Sequence, residues 1–525
     1  MKHDNNGAIG FEHPQCRGNM PPQKLNFVAD LGLHMGIAAA LFVITLLFYG
    51  AYYPIHQDLA GSALSGRLSI VLGGAFHNYG IYFPPVEKLW FSLGTRISDA
   101  TGTRLDLVVV AMAGAAVLFS AALAYYIRRT TVGASPAFLV ISVAVLAVLP
   151  ILFKNVFGLR EHIVVAGLWP YLILRVSDPN SKRIGRPLRA ILGLWIGFTL
   201  LFKYLYSMVV VLVELADAGL QRKPSSLFRT ENVVAGSVVF LYLFLWLGLD
   251  PVQRATFGAM FSAIDAALVD PTANWIKAAV NMLPAFALLF VSRIFGAPIR
   301  DTLLFFAAAT GAVIAAWAQE RWFSHHLFPI IMIYVMWWWA NAKSFRLWAN
   351  FALGLYLLFS IQTQFRATLE YHDRLDELER AISESGQSVA GKKVALLNAH
   401  PSPYNEYIVM HGGLRWTPLM NNAYVAAELK PFDKHENVGK LLPPIKLKEP
   451  GRKMLHNQML QLWEDTPPDV LIVDRTSRWP LRHIAIDWNQ ALSEDSRFNS
   501  ILQQYRPVTT YNGRHIRFTY YVRAD

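Results

Sequence analysis

The chain has 525 residues, of which 54% are hydrophobic and only 16% charged, with a mean hydropathy of +0.30 and a formal net charge of +12. A soluble domain usually carries about 25% charged residues, so a single-domain soluble protein, a disordered chain and a disulfide scaffold are all excluded; the single cysteine, Cys16, has no partner for an internal bridge. Residues 366–525 hold 40 of the 84 charged side chains, which predicts a polytopic α-helical membrane domain followed by a soluble domain.

Residues 1–30 are polar, lack the apolar core of a signal peptide, and read as a cytoplasmic segment. A first span follows at 31–51. The next segment, 52–103, is too long for an ordinary connection and reads as a large outer loop. Within it, 59–73 is an amphipathic stretch expected to lie along the membrane surface. A second stretch, 84–97, opens with Pro84-Pro85, which suits a helix start. Spans are expected at 104–127, 135–153 and 162–176. Residues 189–217 form one apolar run interrupted at Lys203-Tyr204. One continuous helix would place the lysine at mid-membrane, which is costly. Two short helices meeting at Lys203 carry it to the far surface instead. Further spans at 232–249, 275–293, 301–318, 324–341 and 345–363 bring the total to about eleven, each near the roughly 20 residues that a bilayer requires.

With the N-terminus inside, Arg128-Arg129, Lys182, Arg183, Arg186, Arg189, Arg222-Lys223, Arg229, Arg293, Arg300, Lys343 and Arg346 all fall on the cytoplasmic side, as the positive-inside rule requires. The positive excess is thus topogenic, and no nucleic-acid partner is expected. An odd number of spans puts the tail, 366–525, on the periplasmic (extracytoplasmic) side of the cell inner membrane. In that tail, 366–385 has the charge spacing of an exposed helix, and 452–464 and 484–502 are also helical in pattern. Residues 393–398 and 469–474 read as buried parallel strands. PVTTYNGRHIRFTYYVR reads as a hairpin with Asn512-Gly513 at its turn. Together they make a small α/β domain, with 431–451 as a surface loop. His400, Tyr404, Asn405 and Glu406, at the end of the first strand, are candidates to touch an acceptor; the alternative is that the tail is a structural cap.

Asp58 stands just past the first span and is followed by no other acidic residue until Glu87. On position alone it is either a functional carboxylate or the N-cap of the following helix. Several motifs share its outer-face placement: the Pro-Pro-led helix, FGLREH at 157–162, GFTLLFKYLY at 197–206 and ERWFSHHLFP at 320–329. In this order they resemble the GT-C superfamily of integral-membrane glycosyltransferases, which includes protein O-mannosyltransferases and the aminoarabinose transferases of lipid A. Many relatives carry a second acidic residue before the prolines; here His77, Asn78 and Tyr79 stand there, and Glu87 follows the prolines.

The resemblance implies a glycosyltransferase that moves a sugar from a polyprenyl-phosphate donor to a hydroxyl of a glycan, glycolipid or protein. Asp58 is then the general base of an inverting displacement. Lys203, Arg160, Arg321, His325 and His326 are the candidates for the donor phosphate. Each has a plainer reading: Lys203 snorkels, Arg160 pairs with Glu161, Arg321 pairs with Glu320, and one histidine is structural. His56, Tyr79, Tyr82, Glu87 and Glu161 are candidate substrate contacts, with an interfacial aromatic belt as the alternative for the rings. Two adjacent histidines diverge by about 100° on a helix, and the i,i+4 spacing of a zinc helix is missing, so no metal site is expected from them; a divalent cation as cofactor is left open. The competing functions are an O-antigen polymerase or ligase, a flippase for lipid-linked sugars, and a non-catalytic assembly protein. Transporters often show two related halves, and this sequence shows no such repeat.

Overall fold

The computed structural model describes residues 36–41, 43–45, 47, 55–73, 85–152, 155–178, 183–248, 271–295, 298–319, 322, 324–340, 372–398, 402–417, 457, 459–476 and 496–524. The expected segment 1–30, the span 345–363 and the loop 431–451 lie outside these residues, and the span 31–51 lies partly outside.

Two helices follow the first span: α1 (Gln57–Leu72) and α2 (Pro85–Thr101), the latter opening on the expected proline. Then come α3 (Leu105–Val132), α4 (Ala137–Leu152), α5 (Arg160–Ser177), α6 (Arg186–Phe202), α7 (Ser207–Gln221) and α8 (Thr230–Leu243). The bundle continues with α9 (Pro271–Phe295), α10 (Ile299–Ala318) and α11 (Ser324–Ala340). Among the described residues, three helices are long and apolar enough to cross a membrane: Leu105–Val132, Tyr204–Gln221 and Ile299–Ala318. Helix α5 is apolar on every side and correspondingly central; every residue from 161 to 175 is buried. It meets α6 closely because Gly167 has no side chain: a Cβ there would lie 1.9 Å from Thr199 Oγ1.

The run 189–217 is broken at the lysine. Helix α6 stops at Phe202, Lys203 leaves the helical region at φ −155° and ψ 79°, and one turn of 3₁₀ helix, Tyr204–Tyr206, leads into α7. Side-chain contacts show that the chain turns back here. Arg189, near the start of α6, pairs with Glu231, at 3.0 Å. Arg175 at the end of α5 pairs with the same Glu231, at 2.7 Å, and with Glu214, late in α7. A continuous helix would hold residues 189 and 214 about 37 Å apart. The far ends of α6 and α7 therefore share one end of the bundle, and Lys203 is at the other.

That shared end holds a network which the sequence reading treated as topogenic charge alone. Arg229 reaches Asp217 at 2.7 Å and Glu214 at 3.3 Å, Arg300 reaches Asp217 at 2.6 Å, and Arg189 also reaches Asp178 at 2.9 Å. All but Arg229 and Arg300 are buried. Buried charges are tolerated when paired and hydrogen-bonded, and here cations from α5, α6, α10 and the N-cap of α8 meet acids from α7, α8 and the C-cap of α5.

The stretch expected on the membrane surface is instead enclosed. Helix α1 buries Leu59, Ala60, Ala63, Leu64 and Leu68, and also Gly61, Ser65 and Ser69 on its other faces. It packs on α2 and α3, and the tail covers its remaining side through α12 (Tyr404–Met410) and β2 (Leu414–Arg415).

The tail's sheet has the order β2-β1-β3-β5-β4. Strands β1 (Lys393–Leu397) and β3 (Val470–Asp474) stand where the apolar runs placed them and pair in parallel, with Leu396 opposite Ile472. Helix α13 (Ser496–Leu502) leads into β4 (Tyr505–Asn512) and β5 (Arg517–Arg523), which pair as an antiparallel hairpin. Its loop is longer than an Asn-Gly turn. Residues Gly513–Ile516 form it, the Gly513 N–H donates to the Ile516 carbonyl, and the Glu377 carboxylate accepts from the His515 N–H.

Candidate active site

The end of the bundle opposite the ion network gathers residues from five parts of the chain. Asp58 lies in the first turn of α1 but is not its cap. The cap is His56, whose Nδ1 accepts from the Asp58 N–H at 3.1 Å. The Asp58 side chain is left 42% exposed, 3.7 Å from the His56 ring. The capping alternative thus falls to the neighbouring residue.

Arg160 and Glu161 open α5. The turn before them passes through Gly158 at φ +80°, and a Cβ there would meet Leu59 of α1 at 2.9 Å. His162 fastens this turn. Its Nδ1 accepts from the Gly158 N–H at 2.9 Å, which leaves Nε2 to donate to the Leu146 carbonyl at 2.7 Å. His162 is fully buried; it stands inside FGLREH, yet its role is invisible in the residue pattern, because both partners are backbone groups.

The cations are not held as the sequence alternatives expected. Arg160 pairs with Glu87, at 3.3 Å, rather than with Glu161. Glu87 is 1% exposed while the Arg160 side chain remains 42% exposed. Burial pushes the Glu87 carboxyl above its usual range, and Arg160 opposes that shift. Lys203 does not snorkel to an open surface: its Nζ pairs with Glu161 and its side chain is 11% exposed. The Lys203 ammonium also lies 6.0 Å from the Tyr206 ring, and the Tyr206 hydroxyl donates to the His326 carbonyl at 3.2 Å.

The adjacent histidines of α11 do not diverge into separate surroundings. Their ring centroids are 4.3 Å apart, and His326 Nε2 is 3.5 Å from Glu161 Oε1. They occupy the first turn of the helix, where one carboxylate sits within reach of both. His325 also faces the His56 ring at 6.1 Å. Two donor sets could therefore hold a cation: His56 with Asp58 and His325, and Glu161 with His325 and His326, each with ligand atoms within 4.8 Å of one another.

Asp58, Arg160, Glu161 and His325 line one cleft, with Ser62 and Phe91 beside them, of about 280 Å³ including its open mouth. Glu87, Lys203, His326 and His56 stand behind or beside this lining. Arg321, Tyr79 and Tyr82 lie outside the described residues, as does His400. Tyr404, Asn405 and Glu406 are buried, with Asn405 reaching the Gln57 carbonyl of α1 and Tyr404 facing the Phe518 ring of β5, so they form no open acceptor surface.

No protein-family model matches the chain, and no curated protein matches it. Among solved structures, the crystal structure of ArnT from Cupriavidus metallidurans bound to undecaprenyl phosphate matches 94% of this chain and 97% of that one, with a TM-score of 0.54 at 10% sequence identity. The fold is that of ArnT. The likeness to ArnT covers nearly the whole length of both chains, so it takes in the helical bundle and the tail. At this identity the match to ArnT establishes architecture, and the chemistry rests on the side chains in the cleft.

Proposed function

We propose that this chain is a membrane glycosyltransferase that moves a sugar from a polyprenyl-phosphate donor to a hydroxyl of a glycan, glycolipid or protein. The observation that carries the reading is the convergence of a partly exposed carboxylate, Asp58, and a partly exposed guanidinium, Arg160, on one cleft. The ArnT structure of the same fold is bound to undecaprenyl phosphate, which supports the donor class.

In the proposed reaction the acceptor oxygen attacks the anomeric carbon and its proton passes to the Asp58 carboxylate. The bond from that carbon to the phosphate oxygen breaks, and the lipid phosphate departs with the electron pair. One carboxylate acting opposite the leaving group gives inversion, by the logic of inverting glycoside chemistry. Arg160 is the leading phosphate contact: its fork has five donors, and part of it faces the cleft. Lys203 acts from behind through Glu161, and His325 completes the lining. The reaction belongs at the outer face of the inner membrane, with the tail on that side.

The test uses the purified chain in lipid nanodiscs with a panel of undecaprenyl-phosphate hexoses, pentoses and aminosugars. Asp58→Asn is expected to cut transfer about 10²–10⁴-fold, the range of a lost general base, with undecaprenyl phosphate still bound. Near-normal transfer by that variant would remove Asp58 from the role. Lipid translocation in vesicles without any sugar transfer would favour a flippase.

A further inference from the structure

Outside the cleft, a chain of buried polar side chains joins the tail to α1. Arg415 lies on β2, the edge strand, where it is fixed by pairing with Val394 of β1. It is 3% exposed and its Nη1 donates to Asn405 Oδ1 at 2.6 Å. Asn405, fully buried in the first turn of α12, donates in turn through Nδ2 to the Gln57 carbonyl at 3.4 Å. Gln57 is the first residue of α1, between the cap His56 and Asp58. Glu406, buried beside Asn405, offsets the guanidinium charge, whose burial otherwise disfavours it.

A tail that served only as a cap would be served at lower cost by apolar side chains here, because burying a guanidinium is expensive even when it is paired. The guanidinium holds the Asn405 amide, and that amide in turn holds the turn of α1 that carries the carboxylate. First turns of helices are the parts that fray, and a misplacement of about 1 Å in a reacting group can cost 10²-fold in rate. We propose that Asn405 and Arg415 are positioning residues for Asp58, and that through them the tail forms part of the catalytic apparatus. This rests on the transferase reading for its catalytic consequence, but its mechanical part does not.

The experiment uses the full chain in nanodiscs and compares wild type, Asn405→Ala and Asn405→Asp. The alanine variant strips Arg415 of its acceptor and can unfold the tail. The aspartate variant keeps that acceptor, puts an oxygen where the donor to Gln57 stood, and adds a carboxylate that the Arg415 guanidinium can pair with. Hydrogen exchange in peptides covering 57–64 is expected to rise about tenfold in Asn405→Asp, the scale of one hydrogen bond, while peptides covering β1 and β3 stay protected. With a donor that the wild type accepts, kcat is expected to fall about tenfold at an unchanged donor KM. Unchanged exchange in 57–64 would overturn the proposal, as would loosening of β1 and α1 together, or loosened α1 with unchanged kcat. A wild type inactive with every donor would count against the transferase reading and leave the exchange comparison to decide this one.

Discussion

Glu87 shows how much of the site is set by single residues far apart in the chain. Its partner Arg160 is 73 positions away. Burial holds the Glu87 carboxyl above the usual range, more strongly than Arg160 and Lys203 lower it. The unfolded chain ionises this group at the ordinary value and the folded chain at a higher pH. Between those values the folded state holds more protons, so the contribution of Glu87 to stability falls as pH rises through the window. Glu87→Gln copies the protonated form. It is expected to gain on the wild type in thermal unfolding midpoint as pH is raised from about 4 to about 7; a pH-independent difference would contradict this. The residues in and around the cleft were legible because a charge in an apolar chain is costly and therefore rarely idle: Asp58, Arg160 and His325 in its lining and Lys203 behind it all stood out. Their pairings were not legible. Arg160 chose Glu87 over the adjacent Glu161, and Glu161 became the partner of Lys203 and His326, because helix ends distant in sequence meet only in the fold. His56 as the cap and His162 as the fastener of the Gly158 turn depend on backbone groups that side-chain patterns do not reveal.

At the scale of elements, apolar runs located the helices, and the lysine in the middle of one run located a turn. The enclosure of α1 was not legible, since it takes the tail, more than 300 residues later, to cover a face that looks amphipathic in isolation. Nor was the ion network. Its basic members were visible as a charge bias, but Glu214 and Glu231 sit singly on different helices and signal nothing until α5, α6, α7 and α8 are packed. Glu231 is fully buried between Arg175 and Arg189. Glu231→Ala leaves both guanidinium groups without it and is expected to cost about 3–5 kcal/mol, the usual penalty for breaking a buried pair. Thermal unfolding in detergent reads this, and a midpoint unchanged from the wild type would mean that the pairs are replaceable by water.

At the scale of the whole molecule, the two ends of the bundle are chemically distinct, and the positive-inside rule assigns them sides. In a Cys16→Ala background, Ser383→Cys in the tail is expected to react with an impermeant maleimide in intact spheroplasts. Ser225→Cys, exposed beside the ion network, is expected to react only after permeabilisation. The reverse pattern would invert the proposed orientation and move the cleft to the cytoplasm. The architecture shared with ArnT was legible as an ordered set of motifs expected on one face of the membrane; the docking of the tail on the start of α1 was not. Helix α5 joins the two ends: Glu161 faces the cleft and Arg175 anchors the network, about 21 Å along the same axis. Because α5 is buried along its length, it has little freedom to slip without both ends registering it. A genetic screen for inactive variants will therefore collect changes at Arg175 and its partners as readily as at the cleft, and second-site suppressors of the former should map to α6, α7 and α8 rather than to any residue that meets the sugar.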